Sequence, residues 1–238
     1  MAKVETRKIT FTVDDERKVS GLLVMPKGAR ALYVLAHGAG AGMAHPFLAT
    51  MAALLGERGI ATLRYQFPYM EKGSRRPDPP KIAEAAVRAA VAEAARLAPG
   101  LPPFAGGKSF GGRMTSQAEA HGATGVKGLA FFGFPLHPPG APADTRGEHL
   151  ADVKVPMLFL QGTRDEFAEL SLLKPLMKRL GRRATLHLID NANHSFRVPA
   201  KTGRKEADVM AELADTLSTW MGGLAGQAST GHSPDHSI

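Results

Sequence analysis

Short, continuously apolar runs alternate with stretches of helical spacing along most of this chain. Lys8–Val13 and Val19–Met25 read as two strands joined by Asp14-Asp15-Glu16-Arg17, an opening hairpin. Ala31–Ala36, ALYVLA, is apolar at every position and ends in His-Gly, the pattern of a strand buried on both faces. Phe47–Arg58 has helical spacing and stops at Gly59, and Ile60–Phe67 is a further strand. Glu71–Pro80 is polar and proline-rich, which predicts a loop. Lys81–Leu97 is an alanine-rich helix closed by Pro99-Gly100. Pro103–Gly106 is a short strand, followed by a helix from Phe110 to His121 and a buried strand at Val126–Phe132. Gly133–Val155 is irregular. Strand Met157–Leu160, helix Glu169–Leu180, strand Ala184–Ile189 and helix Lys205–Met221 complete the order. Alternating strands and helices after an antiparallel start predict a mostly parallel sheet of about eight strands, with helices on both faces. Residues 1–223 read as one domain, and residues 224–238 as a disordered tail.

Composition narrows the chemistry. The chain has 238 residues, of which 44% are hydrophobic and 22% charged, as in an ordinary globular domain. It has no cysteine, which excludes disulfides, thiolate catalysis and cysteine-ligated zinc. The N-terminal MAKVETRKITF lacks the apolar core of a signal peptide, and no apolar run reaches membrane-spanning length. A cytoplasmic location is expected. The net charge of +8 is spread in short clusters without interleaved aromatics, so a solvated basic surface is expected, with neither nucleic acid nor membrane as partner.

The stretch FAGGKSFGGRM, Phe104–Met114, admits two functions. Gly107-Lys108-Ser109 matches the end of a phosphate-binding loop, whose first glycine would stand at position 102. That position is Pro102, which has a locked φ and no N–H, and it precedes the strand instead of following it. The phosphate-loop reading fails. Gly107-Lys108-Ser109-Phe110-Gly111 is also G-x-S-x-G, a sharp strand-to-helix turn that presents a serine. Small residues on either side let strand and helix approach. Alone, the motif marks only a glycine turn. A serine nucleophile also needs a base, and the base an orienting carboxylate. Asp165 follows strand MLFLQ and His194 follows strand TLHLID, so three matched residues fall on loops at one edge of the sheet.

The remaining candidates support that site. The oxyanion of an attacked carbonyl needs fixed donors, and the backbone N–H groups of Phe110 and of Ala39, in His37-Gly38-Ala39-Gly40, are the candidates. His37, Tyr65, Tyr69 and His137 are candidates for substrate contact. His37 is also a candidate for positioning the oxyanion loop, and His137 for a turn. His187, His121, His45 and His149 read as structural, and His232 and His236 lie in the tail. Glu166 and Asp190 are weaker rivals to Asp165. Lys108 is a candidate to attract an anionic substrate, with an arbitrary residue of the elbow as the favoured reading. PLHPPGAP and Gly73–Pro80 are expected to roof an open pocket suited to small or polar acyl substrates.

Taken together, the motifs resemble the α/β-hydrolase superfamily from the first hairpin to the last helix. HGAGAG, RYQFPYM, GGKSFGGRM, FFGFPLHPPG, FLQGTRDEF and NHSF resemble a small branch of predicted hydrolases related to dienelactone hydrolase, and also the hydrolase-like domain of an NSL acetyltransferase complex subunit. The resemblance covers about Val19 to Met221. It implies Ser109 as nucleophile, Asp165 as acid and His194 as base; that chemistry requires no metal or organic cofactor, and Gly133–Val155 reads as too short for a full lid domain. Dienelactone hydrolase uses a cysteine nucleophile, so that particular activity is not implied. A serine hydrolase acting on a small acyl substrate is the expected function. A catalytically silent scaffold for protein interaction is the alternative.

Overall fold

The computed structural model describes residues 5–227, so the expected tail lies outside the described residues from position 228 onward. Eight strands form one sheet: β1 (Thr6–Asp14), β2 (Arg17–Val24), β3 (Ala31–Ala36), β4 (Ile60–Tyr65), β5 (Pro103–Lys108), β6 (Leu129–Phe132), β7 (Met157–Gly162) and β8 (Ala184–Ile189). Their spatial order is β1-β2-β4-β3-β5-β6-β7-β8. β1, β2 and β4 pair antiparallel, and every pair from β4 to β8 is parallel. Among the described residues six α-helices surround the sheet: α1 (Pro46–Glu57), α2 (Pro68–Glu71), α3 (Pro80–Leu97), α4 (Phe110–Ala120), α5 (Leu170–Leu180) and α6 (Glu206–Gln227).

Burial on both sheet faces explains the unbroken apolar runs. In β3, Leu32, Val34 and Ala36 join the core under α3, α4 and α5. Ala31, Tyr33 and Leu35 join the opposite core, with Leu48 and Met51 of α1 and Leu213 and Leu217 of α6. This is the period of two of a pleated strand. Helix α3 buries Ala83, Ala86, Val87, Ala90 and Ala94 along one face, and its alanines bring it close to the sheet.

The topology positions the site. β3 connects outward to β4, after which the chain returns through α3 to β5 on the other side of β3. The loops after β3 and β5 therefore leave neighbouring strands toward opposite faces, and such a switch point opens a crevice at the strands' C-terminal ends.

Four expectations need revision. The strand expected to reach Phe67 ends at Tyr65, and Glu71, expected in a loop, ends the short helix α2, because Pro68 starts a turn that Phe67 and Pro68 carbonyls complete with the Glu71 and Lys72 amides. The segment between β6 and β7 is not wholly irregular, since Thr145–Ala151 is 3₁₀-helical; among the described residues no lid domain is evident. The last helix runs through Gly222 and Gly223 to Gln227, so residues 224–227 are helical instead of tail. These glycines weaken a helix without ending it.

Candidate active site

Ser109 sits where β5 becomes α4, with φ 51° and ψ −114°. A non-glycine residue at positive φ costs on the order of 1–3 kcal/mol and persists only where its surroundings impose it. They do so here by close backbone approach. A Cβ at Gly107 would lie 2.4 Å from the Ala36 carbonyl oxygen, and one at Gly111 would lie 2.5 Å from that of His37. The Ser109 N–H donates to the Phe132 carbonyl at 3.1 Å, and its own carbonyl accepts from Arg113 in the first turn of α4. Serine at a helix start usually caps the helix with its hydroxyl. Ser109 makes no such bond, and its hydroxyl donates to His194 Nε2 at 2.8 Å instead.

His194 lies on the loop after β8. Asn193 Oδ1 accepts the Ser195 and Arg197 amides, each at 3.0 Å, folding the loop around the ring. The Nδ1–H donates to Asp165, 2.9 Å from Oδ1 and 2.8 Å from Oδ2, which leaves Nε2 free to accept from serine. The Asp165 side chain is fully buried. The Phe167 amide donates to Oδ1 at 2.9 Å, and Gln161 Nε2 donates to Oδ2 at 2.6 Å. Gln161 is itself fixed, accepting the Phe134 amide at 2.9 Å. The Phe167 ring lies 4.2 Å from that of His194. The structure thus brings Ser109, His194 and Asp165 into one hydrogen-bonded chain. Glu166 and Asp190 stand outside it.

Burial lowers the His194 pKa below its ordinary 6.5. The bond to Asp165 opposes that shift, and the Lys108 ammonium reinforces it.

The loop after β3 presents Ala39 beside the serine. No acceptor within the described residues takes the Ala39 or Phe110 amide, so both are available to an oxyanion. The flanking residues are tied down. The Gly40 N–H donates to the Tyr69 hydroxyl at 3.0 Å, and the Met43 N–H to Gln66 Oε1 at 2.8 Å. His37 is buried beneath the loop, where its Nδ1–H donates to the Gly38 carbonyl and its Nε2 accepts the Phe67 amide. Burial pushes its pKa down to about 4, so it remains neutral and fit for this double role.

Ser109, His194, Lys108, Phe167, Ala39 and Phe47 are among the residues that line a cavity of about 340 Å³. None of the four proposed substrate-contact residues lines it. His37 and Tyr69 instead hold the loop after β3, through the Gly38 carbonyl and the Gly40 amide. Tyr65 points away into the core, with Phe11 and Phe67 around its ring. His137 is buried in a turn, bonding the Pro138 carbonyl, while the Leu136 and His137 amides bond the Phe167 carbonyl. The loop PLHPPGAP therefore braces the Phe167 wall, and neither it nor Gly73–Pro80 contributes a residue to the lining.

Sequence reasoning missed Gln161 and Phe167, and it did not foresee the surroundings of Lys108. The Lys108 side chain runs back beneath the site. A Cβ at Gly133 would touch Lys108 Nζ at 3.1 Å, Asp165 Oδ2 at 3.3 Å and His194 Cε1 at 3.3 Å, so the three groups converge on that glycine. Nζ also lies 5.6 Å from the Phe196 ring centroid. Burial pushes its pKa down to about 8, while Asp165 holds it up. The predicted consequence is a pH effect. Removing the cation by Lys108→Met lets the His194 pKa rise, so the acidic limb of kcat/KM should move to higher pH. An inflection near pH 8 in the parent should disappear in the variant. Matched pH–rate profiles check both, and superimposable profiles would remove Lys108 from the electrostatics of the site.

A serine at a strand–helix elbow, with aspartate and histidine on later loops of the same parallel sheet, places this molecule among proteins of the α/β-hydrolase fold. A family model described as an alpha/beta hydrolase domain matches residues 29–222, and the chain belongs to that family. Solved structures share the fold. A dienelactone hydrolase from Anabaena variabilis is 22% identical, with a TM-score of 0.75 over 91% of this chain and 96% of that one. A Xanthomonas campestris protein described as a serine hydrolase without a lid is 20% identical, with a TM-score of 0.71 over 91% and 95%. Est1E from Butyrivibrio proteoclasticus, solved with ferulic acid, is 17% identical, with a TM-score of 0.66 over 88% and 99%. At these identities the likeness is one of fold. Among the described residues, no helix is long and apolar enough to cross a membrane.

Proposed function

We propose that this protein is a serine hydrolase that cleaves an ester or other acyl bond of a small substrate. The observation carrying the proposal is the hydrogen-bonded series from Ser109 through His194 to Asp165, opening on a cavity beside two unpartnered amides. Ser109 Oγ attacks the carbonyl carbon while His194 Nε2 takes its proton. The Ala39 and Phe110 amides hold the negative oxygen that forms. Asp165 keeps the proton on Nδ1 and stabilises the imidazolium. His194 then protonates the leaving group, and the acyl-enzyme remains. Water, deprotonated by His194, attacks the acyl carbon, releases the acid and restores Ser109.

A scaffold without catalysis has no use for a strained serine aligned with a buried His–Asp pair. The test is labelling with a fluorophosphonate, whose phosphorus is attacked by an activated serine. Stoichiometric modification mapping to Ser109, absent from Ser109→Ala, is expected. A folded protein that stays unlabelled would favour the scaffold reading.

A further inference from the structure

The catalytic cavity has a neighbour. His45, Phe47 and Ser195 line it, and the same three residues line a second cavity of about 550 Å³. This lobe lies between α1 and the start of α6. Thr50 and Leu54 continue its wall along one face of α1, at the helical spacing that follows Pro46. Ala207 and Met210 supply the α6 side. Its two oppositely charged residues are Arg197 and Glu206, one of each sign, so the lobe offers no net charge to an ionic ligand. The remaining surface is mainly apolar. An apolar surface adjoining the cavity of a reactive serine is suited to the non-reacting part of a substrate.

We propose that this lobe is a substrate subsite for an elongated, uncharged apolar substituent, a medium-length aliphatic chain or an aryl group, borne by the scissile ester. The inference rests on the serine-hydrolase reading and deepens it. It departs from the expectation of small or polar substrates, which considered only the loops above the serine. The three shared lining residues make the cavities neighbours, so an elongated molecule seated at Ser109 needs only to pass His45, Phe47 and Ser195 to reach the lobe. Each methylene moved from water onto apolar surface strengthens binding. Partial burial of several of them gives a preference of roughly tenfold or more over the short homologue.

The experiment compares two substrate series in the full chain. One lengthens the acyl group, from p-nitrophenyl acetate to p-nitrophenyl octanoate. The other lengthens the alcohol, from ethyl to octyl acetate. Thr50 and Ala207 are exposed and outside the triad and oxyanion loop, so Thr50→Trp and Ala207→Trp fill the lobe without disturbing the chemistry. The long substrate of at least one series should be preferred roughly tenfold by the parent. Each tryptophan should reduce that kcat/KM about tenfold while leaving the acetate of the same series within about twofold. The responding series assigns the lobe to the acyl or the leaving-group side. Fluorophosphonate labelling of each variant separates the two readings. Retained labelling with no preference for length, or with equal losses on short and long substrates, overturns the subsite alone. Absence of both labelling and turnover in the parent overturns the hydrolase reading, and the subsite with it.

Discussion

Ser109→Ala is expected to lower kcat by about three to six orders of magnitude, and adding His194→Ala should cost almost nothing more. The two groups act as one unit. Without the hydroxyl there is no proton for His194 to take, and without His194 the hydroxyl remains a weak nucleophile. Residual turnover should come from the oxyanion donors and binding, which neither change removes. Stability should respond separately. Ser109 carries positive φ, and alanine inherits that strain. Ser109→Gly relieves it, so this variant should be inactive yet as stable as the parent, or more stable by about 1 kcal/mol. Single-turnover kinetics and urea unfolding on these three variants and on His194→Ala alone check the pattern. Strictly multiplicative losses in the double variant would show that Ser109 and His194 act independently, against the proposed mechanism.

Much of this architecture was legible because local pattern and global burial agree. ALYVLA could be read as a central strand, since both its faces meet helices. The glycines around Ser109 were legible because each stands where another strand's backbone leaves no room. The approach of Ser109, Asp165 and His194 was legible from chain order, since each follows a parallel strand. Side-chain direction was not. All six residues of β4 are buried, so hydrophobic alternation could not reveal that Tyr65 faces the core. The role of Gln161 was hidden because it becomes apparent only when the Phe134 amide and Asp165 are brought to it by different loops. Lys108 looked incidental in sequence because its neighbours, Gly133, Asp165 and His194, are all distant along the chain. The second lobe was invisible for the same reason, as its walls come from α1, the His194 loop and α6.

Gly106→Ala is expected to remove about 3–5 kcal/mol of stability or to prevent folding. Gly106 pairs with Ala130 across β5 and β6. A Cβ there would lie 1.7 Å from the Ala130 carbonyl oxygen and 2.7 Å from the Tyr33 hydroxyl. Those two groups are themselves bonded, Tyr33 donating to that carbonyl at 2.7 Å inside the core. The methyl would therefore separate two strands and break a buried hydrogen bond, three residues before Ser109. Neither a backbone carbonyl nor a fully buried tyrosine can move aside at little cost. Tyr33→Phe alone removes the donor and leaves the carbonyl without it, a loss of about 1–3 kcal/mol. In that background the alanine meets one fewer obstacle and breaks no tyrosine bond. The double variant should thus lose less than the sum of the two single changes. Gly223→Ala is the contrast. Its Cβ would meet nothing within 4 Å, in the interior of α6, and a gain of about 0.5–1 kcal/mol is expected. Urea midpoints for the four variants give the comparison. An unchanged midpoint in Gly106→Ala would mean that β5 and β6 do not meet as described, and the placement of Ser109 would fall with that pairing.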